Sequence, residues 1–305
     1  MLKIGVLGLG SIAQKAYLPV YVKSNQRATF VYATRNQEVQ AQLTEKYRLP
    51  QIYDTLDDLI EQKIDACMIH TATNTHIEMI EKCLSHGIHV YVDKPISEDI
   101  TEVRRMYELA KRKNCLLIVG FNRRLAPFVQ QLKQLPEKRV LTLSKNRIGK
   151  AQSVQFEIYD LFLHIVDTAN YLLDEEIIAM TSHIKSCEQH LEFASMTLET
   201  AHSLAHLTMD MFAGANQENY QITMKNSTYH LKNLTELIRY NQSGITVTGF
   251  NDWQTTLEKR GFEQAVNQFI DLLEQGNFSM YKRRVCLVMN SVPKCLRIIK
   301  NHEKR

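Results

Sequence analysis

The sequence predicts a two-part chain: an α/β domain with a doubly wound parallel sheet, then an α+β domain with helices and an open, mostly antiparallel sheet. Two observations predict the first part. Short apolar runs alternate with helix-like stretches from residue 3 to residue 119, the pattern of right-handed βαβ units. The first run ends in Gly8-Leu9-Gly10-Ser11-Ile12-Ala13, a G-x-G-x-x-A spacing at a strand-to-helix junction. A third observation predicts the second part. From about Asn122 the pattern changes to alternating runs joined by polar or glycine turns.

The elements follow in order. Residues 3–7 read as a buried strand. A helix follows with Ile12, Ala16 and Val20 on its apolar side, and Pro19 is expected to kink or restart it. Residues 28–33 read as a strand, and 38–47 as a helix with Asn36 as N-cap. Strands at 66–70, 89–92 and 115–119 alternate with helices at 76–85 and 100–113, the last strand ending at Gly120. This places a Rossmann-type domain at 1–121 and a second domain at 122–305. In the latter, strands are expected at 178–184, 191–198, 203–212, 220–224 and 245–247, and helices at 261–274 and 283–300.

Composition excludes several classes. Hydrophobic residues make up 44% and charged residues 23% of 305 residues, which suits globular cores. A net charge of +4 lacks the basic excess of a nucleic-acid binder. The basic runs Lys111-Arg112-Lys113 and Lys304-Arg305 read as solvated ends. No run approaches the ~20 apolar residues of a membrane span, and no signal peptide is visible, so a cytoplasmic protein is expected. Cys67, Cys83, Cys115, Cys187, Cys286 and Cys295 form no Cys-x-x-Cys pair and read as reduced core residues. His202 and His206 could share a strand face, but no third metal ligand accompanies them, so no metal is expected.

The glycine motif predicts a dinucleotide site. Gly8 and Gly10 let the backbone approach a pyrophosphate, and the amides of Ser11 and Ile12 open the helix N-terminus. An NAD site usually carries an acid at the end of the second strand. Here no acid precedes Glu38, and the strand ends Ala33-Thr34-Arg35-Asn36. Thr34 and Arg35 suit a 2′-phosphate. NADP is therefore expected, with NAD as the alternative.

Two segments carry the chemistry. Tyr91-Val92-Asp93-Lys94-Pro95 closes a strand, with Pro95 allowing a cis bond and Lys94 placed to exchange a proton with a substrate hydroxyl. In the segment from Asp160 to Tyr171, ideal helix geometry puts Asp160, His164, Asp167 and Tyr171 within about 60° of one another. A carboxylate one turn from an imidazole can fix its tautomer.

With these motifs in view, the sequence resembles the Gfo/Idh/MocA oxidoreductase family along nearly its whole length. The likeness rests on the glycine motif, Thr71-Ala72-Thr73-Asn74-Thr75-His76, Asp93-Lys94-Pro95, Gly120-Phe121-Asn122-Arg123-Arg124 and the Asp-x-x-x-His of 160 to 164. The Phe-Asn-Arg-Arg stretch with Phe162 is similar to the MviM branch. The resemblance implies hydride transfer with a small-molecule substrate, a sugar, sugar derivative or polyol. It implies Lys94 and His164 as acid-base groups, Asp160 assisting, and Thr71, Asn74, His76, Asp93 and Asn122 against the cofactor. It also implies a homo-oligomer, dimer or tetramer. Phe162 stands where members commonly have glycine and is expected to narrow the substrate pocket. A non-catalytic dinucleotide-dependent sensor of the same fold is the alternative. Such a chain would be expected to lose the lysine or the histidine, and this one keeps both.

Overall fold

The computed structural model describes residues 1–49, 51–149, 152–276 and 282–303, the stretch 282–290 by its backbone alone. Cys286 and Lys304-Arg305 therefore lie outside the described side chains. The chain divides into two compact units, Met1–Phe121 with Phe262–Cys286, and Asn122–Gly261 with Leu287–Arg305.

The first unit holds a six-stranded sheet of β1 (Leu2–Leu7), β2 (Ala28–Ala33), β3 (Ile52–Tyr53), β4 (Ala66–Ile69), β5 (His89–Val92) and β6 (Leu117–Val119), in the order β3-β2-β1-β4-β5-β6. Every pairing is parallel. Ile4 to Leu7 and all of β4 are buried, as strands covered on both faces require. The strand order reverses between β1 and β4, the switch point where such sheets bind ligands. β3 and the helix Leu56–Glu61 are too short to show a period and escape the sequence reading.

Beyond Gly10 the backbone is helical from Ser11 to Lys23, with a π turn over Ala13–Tyr17. Pro19 falls in the first turn of the following α-helix, Leu18–Lys23. It has no N–H to donate, and the wider π turn leaves room for its ring, so the helix continues through it.

The helix Phe262–Gln275, expected with the second domain, belongs to the first unit. Phe262 packs edge-on against Tyr17 with centroids 5.3 Å apart, and Phe269 lies 5.6 Å from Tyr91. Lys23 pairs with Glu263 at 2.9 Å, and Arg27 with Asp271 and Glu274 at 2.7 Å each. Exposed pairs contribute about 0–1 kcal/mol each, whereas a buried Phe contributes about 1.5–3 kcal/mol. The aromatic contacts therefore hold this helix, and the charges set its register.

The second unit holds eight strands: β7 (Val140–Asn146), β8 (Ala179–Cys187), β9 (His190–Glu199), β10 (Leu204–Asp210), β11 (Gln217–Thr223), β12 (Ser227–Lys232), β13 (Glu236–Asn241) and β14 (Gly244–Gly249). Their order is β14-β13-β12-β11-β7-β10-β9-β8. Among the described residues, only β7 and β10 of this sheet pair in parallel. Buried and exposed positions alternate along β9, β10 and β11, so one face packs inward. The fold class is the expected one.

A helical stretch from Val154 to Leu172 contains a π turn at Ile158–Phe162. The π turn widens the helix locally at Asp160, one turn before His164. Phe162 is fully buried, so its ring faces no open space. Cys67, Cys83, Cys115 and Cys295 are buried free thiols, but Cys187, at the end of edge strand β8, is exposed and not a core residue. Among the described residues, no helix is long and apolar enough to cross a membrane.

Candidate active site

In the first unit the loop after β1 is built around its glycines. Gly8 has φ +89, and a Cβ there would sit 2.9 Å from the Thr71 nitrogen. Only glycine allows the loop to lie this close to the end of β4. Gly10 is exposed, with open space where its Cβ would be. Ser11 and Ile12 are exposed in the first helical turn, where backbone N–H groups lack intrahelical partners. Open space at Gly10 and these amides could receive a pyrophosphate.

The ribose end is set by the parallel pairing of β2 with β3. Thr34 N–H donates to the Tyr53 carbonyl at 2.9 Å, and Arg35 is exposed beside it. Asn36 caps the next helix, accepting from Val39 N at 3.1 Å. Gln40 donates to the Thr34 carbonyl at 2.6 Å and to the Asp54 carboxylate at 2.7 Å. Asp54 is an acid near the end of β2 that sequence order hides, because β3 delivers it from twenty or so residues downstream.

Thr71, Asn74 and His76 follow β4. Thr75 donates to the Thr71 hydroxyl at 2.8 Å, and Asn74 is exposed. His76 is only 1% exposed, with Nδ1 2.8 Å from the Pro95 carbonyl and Nε2 3.0 Å from the Thr71 carbonyl. Burial holds this imidazole below its ordinary range, against those carbonyls. His76 ties two loops together and presents no group of its own to a ligand, unlike the expectation. One of those loops carries Asp93, whose carboxylate accepts from the Lys94 N–H at 2.9 Å, and the cis Lys94–Pro95 bond.

Behind these loops lies an aromatic stack. His70 stacks on Tyr17 at 4.2 Å and shares a hydrogen bond of 2.6 Å with the Tyr21 hydroxyl. Burial, and then His76, lowers His70 to about 3, so its ring is neutral. At Gly120 a Cβ would come within 2.8 Å of the Tyr91 hydroxyl and 2.9 Å of that of Tyr17. The glycine that ends the last strand is required by these tyrosines.

In the second unit the site is a buried ionic chain ending on His164. The short helical turn Asn122–Leu125 carries two arginines. Arg123 donates from Nε to Glu218 Oε1 at 2.6 Å and from Nη2 to Oε2 at 3.0 Å. Its Nη1 lies 3.0 Å from His164 Nδ1. A guanidinium only donates, so Nδ1 accepts and the neutral ring carries its proton on Nε2. Lys145 and the Tyr220 hydroxyl complete Glu218, at 2.7 and 2.5 Å. Burial alone would raise the Glu218 carboxyl, but Arg123 and Lys145 outweigh it and hold it well below the usual range. Burial, and then the like charge of Arg123, lowers Lys145 to about 7, against the pull of Glu218.

The expected polar stripe is thus divided among separate partners. Asp167 is buried and takes both forks of Arg124. The Tyr171 hydroxyl accepts from Gln130 at 2.9 Å. His164 takes Arg123, and half-buried Asp160 acts on Arg123 through its charge. Asn122, expected against a cofactor, is 3% exposed and uses its amide within this unit: Nδ2 donates to the Arg260 carbonyl at 2.8 Å, and Oδ1 accepts from Arg123 at 3.3 Å. His202 sits in a turn against Glu175, while His206 lies on β10 against Thr197. Among the described residues no three His, Cys, Asp or Glu side chains gather as a metal site would need.

Sequence reasoning missed Glu218 and Lys145. A signal was present: Leu141, Leu143 and Lys145 share one strand phase, as do Glu218, Tyr220 and Ile222. A charged residue in each apolar phase marks a buried pair, and β7 and β11 place the two directly opposite.

Comparison with known proteins agrees with this fold. Residues 2–121 match the GFO_IDH_MocA family, described as an oxidoreductase family with an NAD-binding Rossmann fold, and residues 127–242 match the YceM-like C-terminal domain. The chain is 31% identical over 284 residues to the YceM protein of Salmonella typhimurium, covering 90% of each. It is 27% identical over 190 residues to the myo-inositol 2-dehydrogenase of Thermotoga maritima, covering 58% of this chain and 56% of that one. Among solved structures, the dehydrogenase MviM from Clostridium difficile superposes with a TM-score of 0.92 at 29% identity, covering 98% of this chain and 99% of the other.

Proposed function

Since the chain belongs to the Gfo/Idh/MocA family of NAD-binding oxidoreductases, we propose that it transfers hydride between NADP(H) and a sugar, sugar-derivative or polyol substrate. The observation that carries this reading is the glycine cradle at the switch point of a 3-2-1-4-5-6 sheet, with Lys94 two residues beyond β5. The nicotinamide supplies the hydride chemistry. Gly8, Gly10, Ser11 and Ile12 would hold the pyrophosphate, and Thr34 and exposed Arg35 a 2′-phosphate. The nearby Asp54 is already engaged by Gln40.

Proton handling is divided by hydrogen bonding. Lys94 would exchange the hydroxyl proton. His164, with Nδ1 accepting from Arg123, would donate from Nε2 to the reacting oxygen, so it polarises and orients. Asp160 adds negative potential on the same arginine. Thr71, Asn74 and Asp93 would line the cofactor. The relatives named for inositol and nucleotide-sugar dehydrogenation support the polyol and sugar class. A homo-oligomer, dimer or tetramer, fits the exposed apolar Ile245 and Val247 on edge strand β14.

The test is a panel of sugars, sugar acids and polyols assayed for NADPH oxidation and NADP reduction. In K94A, turnover falls by ~10²–10⁴-fold while dinucleotide affinity holds. Unchanged turnover in K94A would remove lysine from the mechanism. Dinucleotide binding without turnover across the panel would favour a sensor.

A further inference from the structure

The ionic chain around His164 shares one carboxylate, Glu218, between Arg123 and Lys145. The ion pairs here, among the described residues, are Arg123–Glu218, Lys145–Glu218 and Arg124–Asp167. Glu218 is used twice and Asp167 is committed to Arg124. Two further arginines follow, with no carboxylate at ion-pair distance among the described residues.

The first is Arg147, just past the end of β7 and two residues beyond Lys145. Its backbone N–H donates to the Asp210 carbonyl at 2.8 Å, and its guanidinium donates to the Asn146 carbonyl at 3.0 Å. The second is Arg260. Its carbonyl is held by Asn122 Nδ2 at 2.8 Å, and the same Asn122 accepts from Arg123. The following Gly261 fixes this approach: a Cβ there would lie 2.2 Å from the Asn122 carbonyl oxygen.

These guanidiniums share one field. Burial lowers Arg147 below the usual arginine range. Glu218 pulls it back up, and the like charges of Arg123 and Arg260 lower it further. Glu157, the other carboxyl that acts on Arg147, is itself raised by burial and by Asp160, which weakens it as a counter-charge. After burial and Arg123, Arg147 also acts to lower the Lys145 ammonium. A half-buried guanidinium with open donor capacity is a fork for a planar or tetrahedral oxyanion.

We propose that Arg147 and Arg260 form an anion subsite beside His164, so that the substrate is a sugar or polyol bearing a carboxylate or a phosphate. This rests on the oxidoreductase reading above, and it narrows the substrate class.

The test measures binding, so it does not depend on turnover. The full-length protein, saturated with NADP⁺, is titrated calorimetrically with two matched pairs: D-gluconate against D-glucose, and sorbitol phosphate against sorbitol. At least one acid should bind roughly tenfold or more tightly than its uncharged partner. The pair showing the larger gain identifies carboxylate or phosphate as the natural group. R147Q and R260Q should each erase most of that difference while NADP⁺ affinity holds. Equal binding of acid and uncharged partner by the wild-type protein, a comparison that needs no variant, overturns the proposal. So does an acid preference that survives both substitutions. Acid binding with no hydride transfer to any sugar would refute the oxidoreductase reading and support the subsite. Hydride transfer to uncharged sugars with no acid preference would do the reverse.

Discussion

Replacing Arg123 by lysine tests whether the buried chain sets the state of His164. The arginine spans two partners at once: Nε and Nη2 hold Glu218 at 2.6 and 3.0 Å, while Nη1 reaches His164 Nδ1 at 3.0 Å. A lysine keeps the charge against Glu218 but has one ammonium where the guanidinium has a fork. The bond to Nδ1 is the part that disappears. A hydrogen bond involving a charged group contributes about 1.5–3 kcal/mol, which corresponds to roughly a 10- to 100-fold bias between tautomers. In R123K the imidazole should therefore lose its single Nε2–H form, and turnover should fall by about 10–10²-fold. Retaining the charge avoids the ~3–5 kcal/mol cost of orphaning a buried carboxylate, so the protein should stay folded. Nitrogen NMR of labelled histidine reports the tautomer, and NADPH absorbance reports turnover. An R123K protein with an unchanged Nε2–H signal and unchanged turnover refutes the assignment of Arg123 as the positioning residue.

Three other outcomes are expected. If Arg35 holds a 2′-phosphate, R35Q should weaken NADPH binding by about tenfold or more and leave NADH nearly untouched; equal or better use of NADH by the wild-type protein would exclude the NADP assignment. The lowered His70 gives a pH dependence. The unfolded chain takes up this proton near 6.5 and the native ring resists until about 3, so native stability falls as pH drops below 6.5. By about pH 5 the loss is about 2 kcal/mol. H70Q, which keeps a partner for Tyr21 but cannot titrate, should show a smaller loss in urea melts between neutral pH and about pH 5; equal slopes would count against the neutral buried ring. Gly261 has φ +82 and its Cβ position is filled by the Asn122 carbonyl, so G261A should cost more than about 2 kcal/mol in chemical denaturation, and a near-neutral effect would show that the turn can shift.

The N-terminal half was readable because its signals are local. A strand buried on both faces is a run of apolar residues, as in Ile4 to Leu7, and a phosphate turn must carry glycine where the backbone crowds Thr71. Asn36 announces its helix for the same reason, since its side chain bonds an amide three residues away. Reading failed where the signal is brief or absent. β3 has two residues. The π turn at Ile158–Phe162 leaves no mark in an apolar pattern read at 3.6 residues per turn.

By itself, then, the sequence determined the parallel sheet and the glycine turn of an NAD-binding Rossmann fold. Only the tertiary structure decided what His164 is bonded to. Its partner is Arg123, aligned in turn by Glu218 and Lys145 from two strands paired across the sheet. The bonded pairs lie 41, 73 and 95 positions apart in the chain, and no periodicity within one segment can join them. The glycine turn is a property of adjacent residues, whereas the tautomer of the His164 ring depends on side chains that only the folded sheet brings into contact.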